Sequence, residues 1–210
     1  MEIIVYLLLG LTSVVGLAFV VERGIALQWR RVVPSEIEAA VHSYQTKEDV
    51  AMLRRLCEQK PSPLSRLLIE AADHLEWPKA ENEAALETRA RHEIVRLERG
   101  LVVLEIIVGI APLLGLVGTI AGMMTLFGDI GQTGLTEAGK LAGGIALILR
   151  ATLWGLLIAI PSLITWSYFS KKIEIIAVEM ETLCDQFIRR QYKEDVQSPT
   201  SKVQSSSAKA

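Results

Sequence analysis

Three long apolar runs limit what this chain can become. They are IIVYLLLGLTSVVGLAFVV at residues 3–21, LVVLEIIVGIAPLLGLVGTIAGMMTLF at 101–127, and a third from about Leu141 to Phe169. A helix rises 1.5 Å per residue, so about 20 apolar residues cross a hydrocarbon core of about 30 Å. Each run is long enough. Lipid offers no partner to an open strand edge, so spans of this kind are helical. The expected fold class is all-α: an integral membrane protein with three transmembrane helices, the second and third extended into long cytoplasmic helices. Composition agrees, with half of the 210 residues hydrophobic, 22% charged and a mean hydropathy of +0.34.

Several function classes drop out. The net charge is −2, and no basic stretch interleaves with aromatics, so nucleic acid is not an expected partner. His42, His74 and His92 are widely spaced, and Cys57 and Cys184 form no CxxC, so no metal site or cofactor is expected. GLTEAGKL at 134–141 matches most of a phosphate-binding loop. Leu141 stands where a magnesium-holding hydroxyl is needed and no strand precedes it, so the match is a chance one. No HExxH, G-x-S-x-G or carboxylate pair appears, and an enzyme is not expected. The first run has Glu2 as its only charge, no basic n-region and no A-x-A site, and reads as a retained helix.

Lys and Arg crowd residues 23–99 and recur at Lys171 and Lys172, whereas GDIGQTGLTEAGK at 128–140 has one lysine. The positive-inside rule then places the N-terminus outside and the C-terminus inside. The expected organisation is span one at 1–21, a cytoplasmic helical loop at 22–100, span two at 101–127 and a short outer loop at 128–140. Span three at 141–169, a cytoplasmic helix at 170–191 and a disordered tail at 192–210 follow. The loop carries turn signals at Pro34, Pro61, Pro63 and Pro78. After Pro78 nothing breaks a helix until Gly100, which predicts one rod running into span two. Ala84, Ala85, Ile94, Leu97 and Leu101 give it a helical period, and the pairs Glu87–Arg91 and Arg89–Glu93 read as a solvated face. Ile173, Ile176, Ala177, Met180, Cys184 and Phe187 form one apolar stripe below span three. The tail is polar and Ser-rich.

Within the spans, Gly115, Gly118 and Gly122 share one flank of the second helix, where small residues let backbones approach closely. Pro112 frees a carbonyl and favours a kink there. Counting from the inner ends places Thr119 about 27 Å and Thr152 about 25 Å up, nearly level, so they either line a polar path or bond their own helices. Arg150 has no acidic residue within ten positions on either side. Helical rise from Leu141 places it about 14 Å inside the span.

APLLGLVGTIAGMMTLF followed by GIALILRATLWGLLIAIPSLITW is similar to the ExbB/TolQ/MotA proton-channel family, closest to its ExbB branch. Thr152, Gly155, Leu156, Ala159, Ile160 and Pro161 keep the family's third-helix pattern, and the Glu22–Arg23 pair and the topology extend the resemblance. The resemblance implies a channel and motor subunit of the bacterial cytoplasmic (inner) membrane. It would form a pentamer around two copies of a single-span ExbD/TolR-like partner. Protons would move along that partner's aspartate, beside Thr119 and Thr152, which match the family's lumen threonines. The output would be outer-membrane work such as TonB-dependent transport, with a TonB-like protein as a further partner. Leu147 is a departure: it stands where ExbB and TolQ typically carry a glutamate. The rivals are a non-conducting scaffold and a TolQ- or MotA-like stator with another output, and H⁺ and Na⁺ are not distinguished. Arg150 has three open readings. It pairs with a partner's carboxylate at an interface or in the lumen, it reaches the outer interface near Asp129 or Glu137, or it weakens function.

Overall fold

Each apolar run folds as one helix. In the computed structural model the backbone is described over residues 2–43, 47–133 and 138–207, and side chains over 3–43, 49–131 and 141–192. The described residues form eight helices and no strand: α1 (Glu2–Ala26), α2 (Trp29–Val32), α3 (Ser35–Ser43), α4 (Lys47–Gln59), α5 (Pro63–Asp73), α6 (Lys79–Glu98), α7 (Leu101–Thr133) and α8 (Ala138–Ser207). Ile3–Ala26, Leu101–Gly131 and a stretch within Leu141–Tyr192 are long and apolar enough to cross a membrane. Contacts divide the chain into two units, residues 1–25 with 99–171 and residues 26–98 with 172–210.

The first unit holds α1, α7 and the N-terminal half of α8. Lipid gives helices no hydrophobic drive to associate, so small residues and close backbone packing hold them together. A Cβ placed on Gly118 would lie 2.7 Å from Ala151 Cβ and 3.1 Å from Val5 Cγ1, and one on Gly122 would lie 2.8 Å from Ile148 Cγ1. Further along α1, a Cβ on Gly16 would lie 3.7 Å from Ser162 Oγ, and one on Gly24 would lie 3.8 Å from Phe169 Cζ. Val5, Gly16 and Gly24 therefore run beside Ala151, Ser162 and Phe169. α1 is parallel to α8, offset by about 146 residues throughout, and α7 runs antiparallel to both.

Three boundaries differ from expectation. The rod expected from residue 79 into span two is divided at Arg99–Gly100, between α6 and α7. The Arg23 side chain, ion-paired with Glu22, fills the space where any Cβ on Gly100 would stand. A larger residue there would have to displace that flexible side chain, and glycine is itself a poor helix former. The outer loop is shorter than 128–140, because α7 continues to Thr133 and α8 starts at Ala138; residues 134–137, Glu137 included, lie outside the described residues. Gly128 and Gly131 each cost about 1 kcal/mol against alanine, too little to stop a helix already propagating. The third difference is at the C-terminal end, where α8 continues to Ser207, through Pro199, although composition predicts a disordered tail.

The second unit has a soluble-type apolar core. Val41, Leu53, Leu64 and Leu68 meet the α8 stripe at Ile176, Met180, Cys184 and Phe187. Pro34, Pro63 and Pro78 stand at helix starts, where a missing N–H costs nothing. Ser62 caps α5, its Oγ accepting from the Ser65 N–H at 3.0 Å. At the other end, the Tyr192 hydroxyl donates to the Trp77 carbonyl at 2.8 Å and Asn82 Nδ2 donates to the Ala71 carbonyl at 3.1 Å.

α6 corrects one expectation. Glu87–Arg91 is exposed, as a solvated face requires, but Glu93 is buried, with 1% of its side chain exposed. Arg66 of α5 holds it through two hydrogen bonds, one of them 2.9 Å from Nε, with Arg96 at 3.2 Å and Arg89 at 3.8 Å. Burial alone would raise this carboxyl. The Arg66 hydrogen bond and charge outweigh it, aided by Arg96 and Arg89, and hold it below the usual glutamate range. The buried edge of α6 is Asn82, Leu86 and Glu93, and Ala84 is exposed.

Candidate functional site

The α7–α8 pair approaches most closely where two glycines face each other. A Cβ on Gly155 would lie 2.6 Å from the Ala111 carbonyl oxygen and 3.2 Å from Gly115 Cα. A Cβ on Gly115 would lie 2.9 Å from both Thr152 Cα and the Ala151 carbonyl oxygen. The two backbones are in van der Waals contact, and that contact sets the position of the threonines.

Thr152 Oγ1 donates across the pair to the Gly115 carbonyl at 3.3 Å, and Thr119 Oγ1 donates within α7 to the Leu116 carbonyl at 2.7 Å. Two consecutive carbonyls of one helix thus accept from the two hydroxyls. Antiparallel pairing sets Gly118 against Ala151, so Thr119 and Thr152 differ in level by about 3 Å. Each hydroxyl oxygen keeps lone pairs for a further donor, the role a water, a hydronium or a protonated carboxyl would fill.

Pro112 and Pro161 lie inside continuous helices, and no break in α7 or α8 accompanies them. Leu147 is 51% exposed, on the flank of α8 next to Val5 and Tyr6. Among the described side chains, none that lines the space beside Leu147 is a carboxylate. Arg150 is exposed, and it forms no ion pair or hydrogen bond among the described residues. Its neighbours one helical turn away, Leu147, Leu153 and Trp154, are exposed too. Val5, Gly16 and Ser162, which dock α1 onto this pair, escaped the sequence reading; the only signal was the spacing of small residues in α1. Among the described residues, no three His, Cys, Asp or Glu side chains gather where they could hold a metal ion.

Comparison with known proteins places this arrangement. Residues 59–182, more than half of the chain and including both threonines and every glycine of the α7–α8 contact, match the model of the MotA/TolQ/ExbB proton channel family. The chain belongs to that family. A putative biopolymer transport protein, ExbB-like 1, from Synechocystis is 32% identical over 74% of this chain and 63% of its own length. ExbB of Helicobacter pylori is 37% identical over 39% of this chain and 56% of its own length, so the match spans less than two thirds of either relative. The Tol-Pal system protein TolQ of Pseudomonas aeruginosa is 27% identical over 88% of this chain and 84% of its own length. As a member of the MotA/TolQ/ExbB family this is a membrane protein of a channel class, and the likeness is strongest to ExbB.

Proposed function

We propose that this chain is a channel and motor subunit of a bacterial inner-membrane complex, driven by the proton-motive force and acting without enzymatic chemistry of its own. It assembles with further copies of itself, as a pentamer, around an ExbD/TolR-like single-span protein. The N-terminus lies outside and the second unit in the cytoplasm. The partner's helix carries the protonatable carboxylate, because α7 and α8 bring none to the level of Thr119 and Thr152. The output is TonB-dependent transport or related envelope work, with a TonB-like protein downstream.

The observation that carries this reading is the Thr152 hydroxyl aimed at the Gly115 carbonyl, within about 3 Å in level of Thr119, inside the family match. The test co-expresses the full chain with its single-span partner and follows intracellular pH under an imposed gradient, with sodium present and absent. Proton entry that Thr152→Val or loss of the partner's carboxylate abolishes is the expected result. A second reading, a non-conducting scaffold, has Leu147 in its favour, an apolar residue at the position of the family's glutamate. Acid pulses that enter no faster with any partner than without one would establish the scaffold.

A further inference from the structure

The register of the three helices changes the depth at which Arg150 lies. At one end the helices are flush. Gly24 lies beside Phe169 and Arg23 packs on Gly100, so Glu22, Arg23, Arg99 and Lys171 form one charged level. The apolar run of α1 is 19 residues, about 28 Å, whereas those of α7 and α8 are 27 and 29 residues, about 40 Å and 43 Å. With one end flush, the whole excess stands at the other. The constant offset between α1 and α8 sets Arg150 beside Ile4, level with the first turn of α1. A bare count from Leu141 gives about 14 Å of depth only if the bilayer follows α8 instead of α1.

Two further spacings agree with the shorter slab. Arg150 and Lys171 are 21 residues apart on α8, about 31 Å, and Glu2 and Glu22 are 20 apart on α1, about 30 Å. Both equal one hydrocarbon thickness. Exposed Tyr6 and Trp154 lie within about one turn inside Arg150, and exposed Tyr168 lies just inside Lys171, the positions of aromatic belts. The Cα–Cβ bond on a helix tilts toward its N-terminus, so the Arg150 side chain leans toward the nearer face of the slab.

We propose that Arg150 marks the membrane boundary at the N-terminal end of α8, where its guanidinium binds the phosphate of a lipid headgroup. The ends of α7 and α8 beyond it, with Met124, Phe127, Ile145 and Leu147, lie outside the hydrocarbon, in the headgroup layer and, at Phe127, past it. An arginine at a boundary needs no carboxylate partner, which accounts for its exposure without an ion pair among the described residues. Thr119 and Thr152 then stand within about one turn of that mouth. This inference rests on helix register alone and stands whether or not protons pass.

The test uses the full chain in nanodiscs of mixed phosphatidylcholine and phosphatidylglycerol. Spin labels are placed one at a time through Ile145→Cys, Leu147→Cys, Leu153→Cys and Leu157→Cys, with the wild type showing that buried Cys57 and Cys184 stay unlabelled. The first two labels are expected to collide with a water-soluble nickel chelate and the last two with oxygen. Labels at 145 and 147 as deep as that at 157 would overturn the boundary. Retained phosphatidylglycerol, measured by native mass spectrometry, should fall about fivefold in Arg150→Leu, one basic residue's share of binding to an anionic surface, and be kept in Arg150→Lys. Unchanged lipid in Arg150→Leu overturns the headgroup contact. Loss of a co-purifying single-span protein in its place would assign the guanidinium to that protein's carboxylate. Leucine suits a lipid-facing position, so Arg150→Leu keeps the fold.

Discussion

Gly155→Ala adds one methyl at the point where α7 and α8 leave the least room. That methyl would stand 2.6 Å from the Ala111 carbonyl oxygen, 3.2 Å from Gly115 Cα and 3.3 Å from Gly115 N. All three are backbone atoms, and no rotamer change moves them. The helices must part by roughly 1 Å, a gap that forfeits a quarter to a half of the dispersion well for each facing pair. Overpacking of this kind costs about 1–3 kcal/mol, and alanine returns up to about 1 kcal/mol in helix propensity, for a net loss of about 1–2 kcal/mol. The Thr152 bond to the Gly115 carbonyl, already 3.3 Å, would be pulled out of range. Thermal unfolding of the purified chain in detergent should fall by about 2–8 °C. The control is Gly109→Ala, on the same pair of helices but with nothing within 4 Å of the new Cβ, which should be neutral or slightly stabilising. Gly144→Ala should fall between them, because its Cβ would meet only the movable end of Leu126, 2.9 Å away. A Gly155→Ala protein that melts at or above Gly109→Ala would refute the idea that this backbone contact holds the helices together.

Two further outcomes concern the second unit. Glu93 favours its charged form in the folded state, so its contribution is complete above the ordinary glutamate value of 4.5 and is lost as pH falls below it. Glu93→Gln should flatten that acid limb of the stability profile. Glu93→Ala should cost about 2–3 kcal/mol at neutral pH, less than a fully buried pair because 35% of the Arg66 side chain is exposed. An acid limb unchanged in Glu93→Gln would mean that another group sets it. The thiols give the second outcome. Burial pushes Cys57 up to about 11 and Cys184 up to about 12, so neither forms thiolate at neutral pH. Maleimide should label the native chain slowly and the denatured chain at once, and rapid native labelling of Cys184 would contradict its place in the core.

Much of the fold was legible from residue order, because it depends on patterns internal to one helix. Three runs above 18 residues announce three spans, the prolines at 34, 63 and 78 stand at helix starts, and the stripe from Ile173 to Phe187 announces a buried face. The flank of Gly115, Gly118 and Gly122 likewise reads as a packing surface from spacing alone, and the family motif rests on the same residues. Other features were not legible, because they belong to pairs of residues far apart in the chain. Glu93 looks like one half of an exposed i,i+4 pair until Arg66, 27 residues earlier, covers it. Gly100 looks like a simple helix end until Arg23 occupies its space. Arg150 is the clearest case. Apolar length along one helix records no level relative to its neighbours, so counting from Leu141 places the arginine by α8 alone. Only the contacts of Val5, Gly16 and Gly24 with α7 and α8 give the helices a common level. Sequence alone determined which segments are membrane helices and which of their faces are small. The tertiary structure decided how far each helix is shifted along its neighbours, because that shift is set by close contacts between backbones, and hydrophobic periodicity does not encode it.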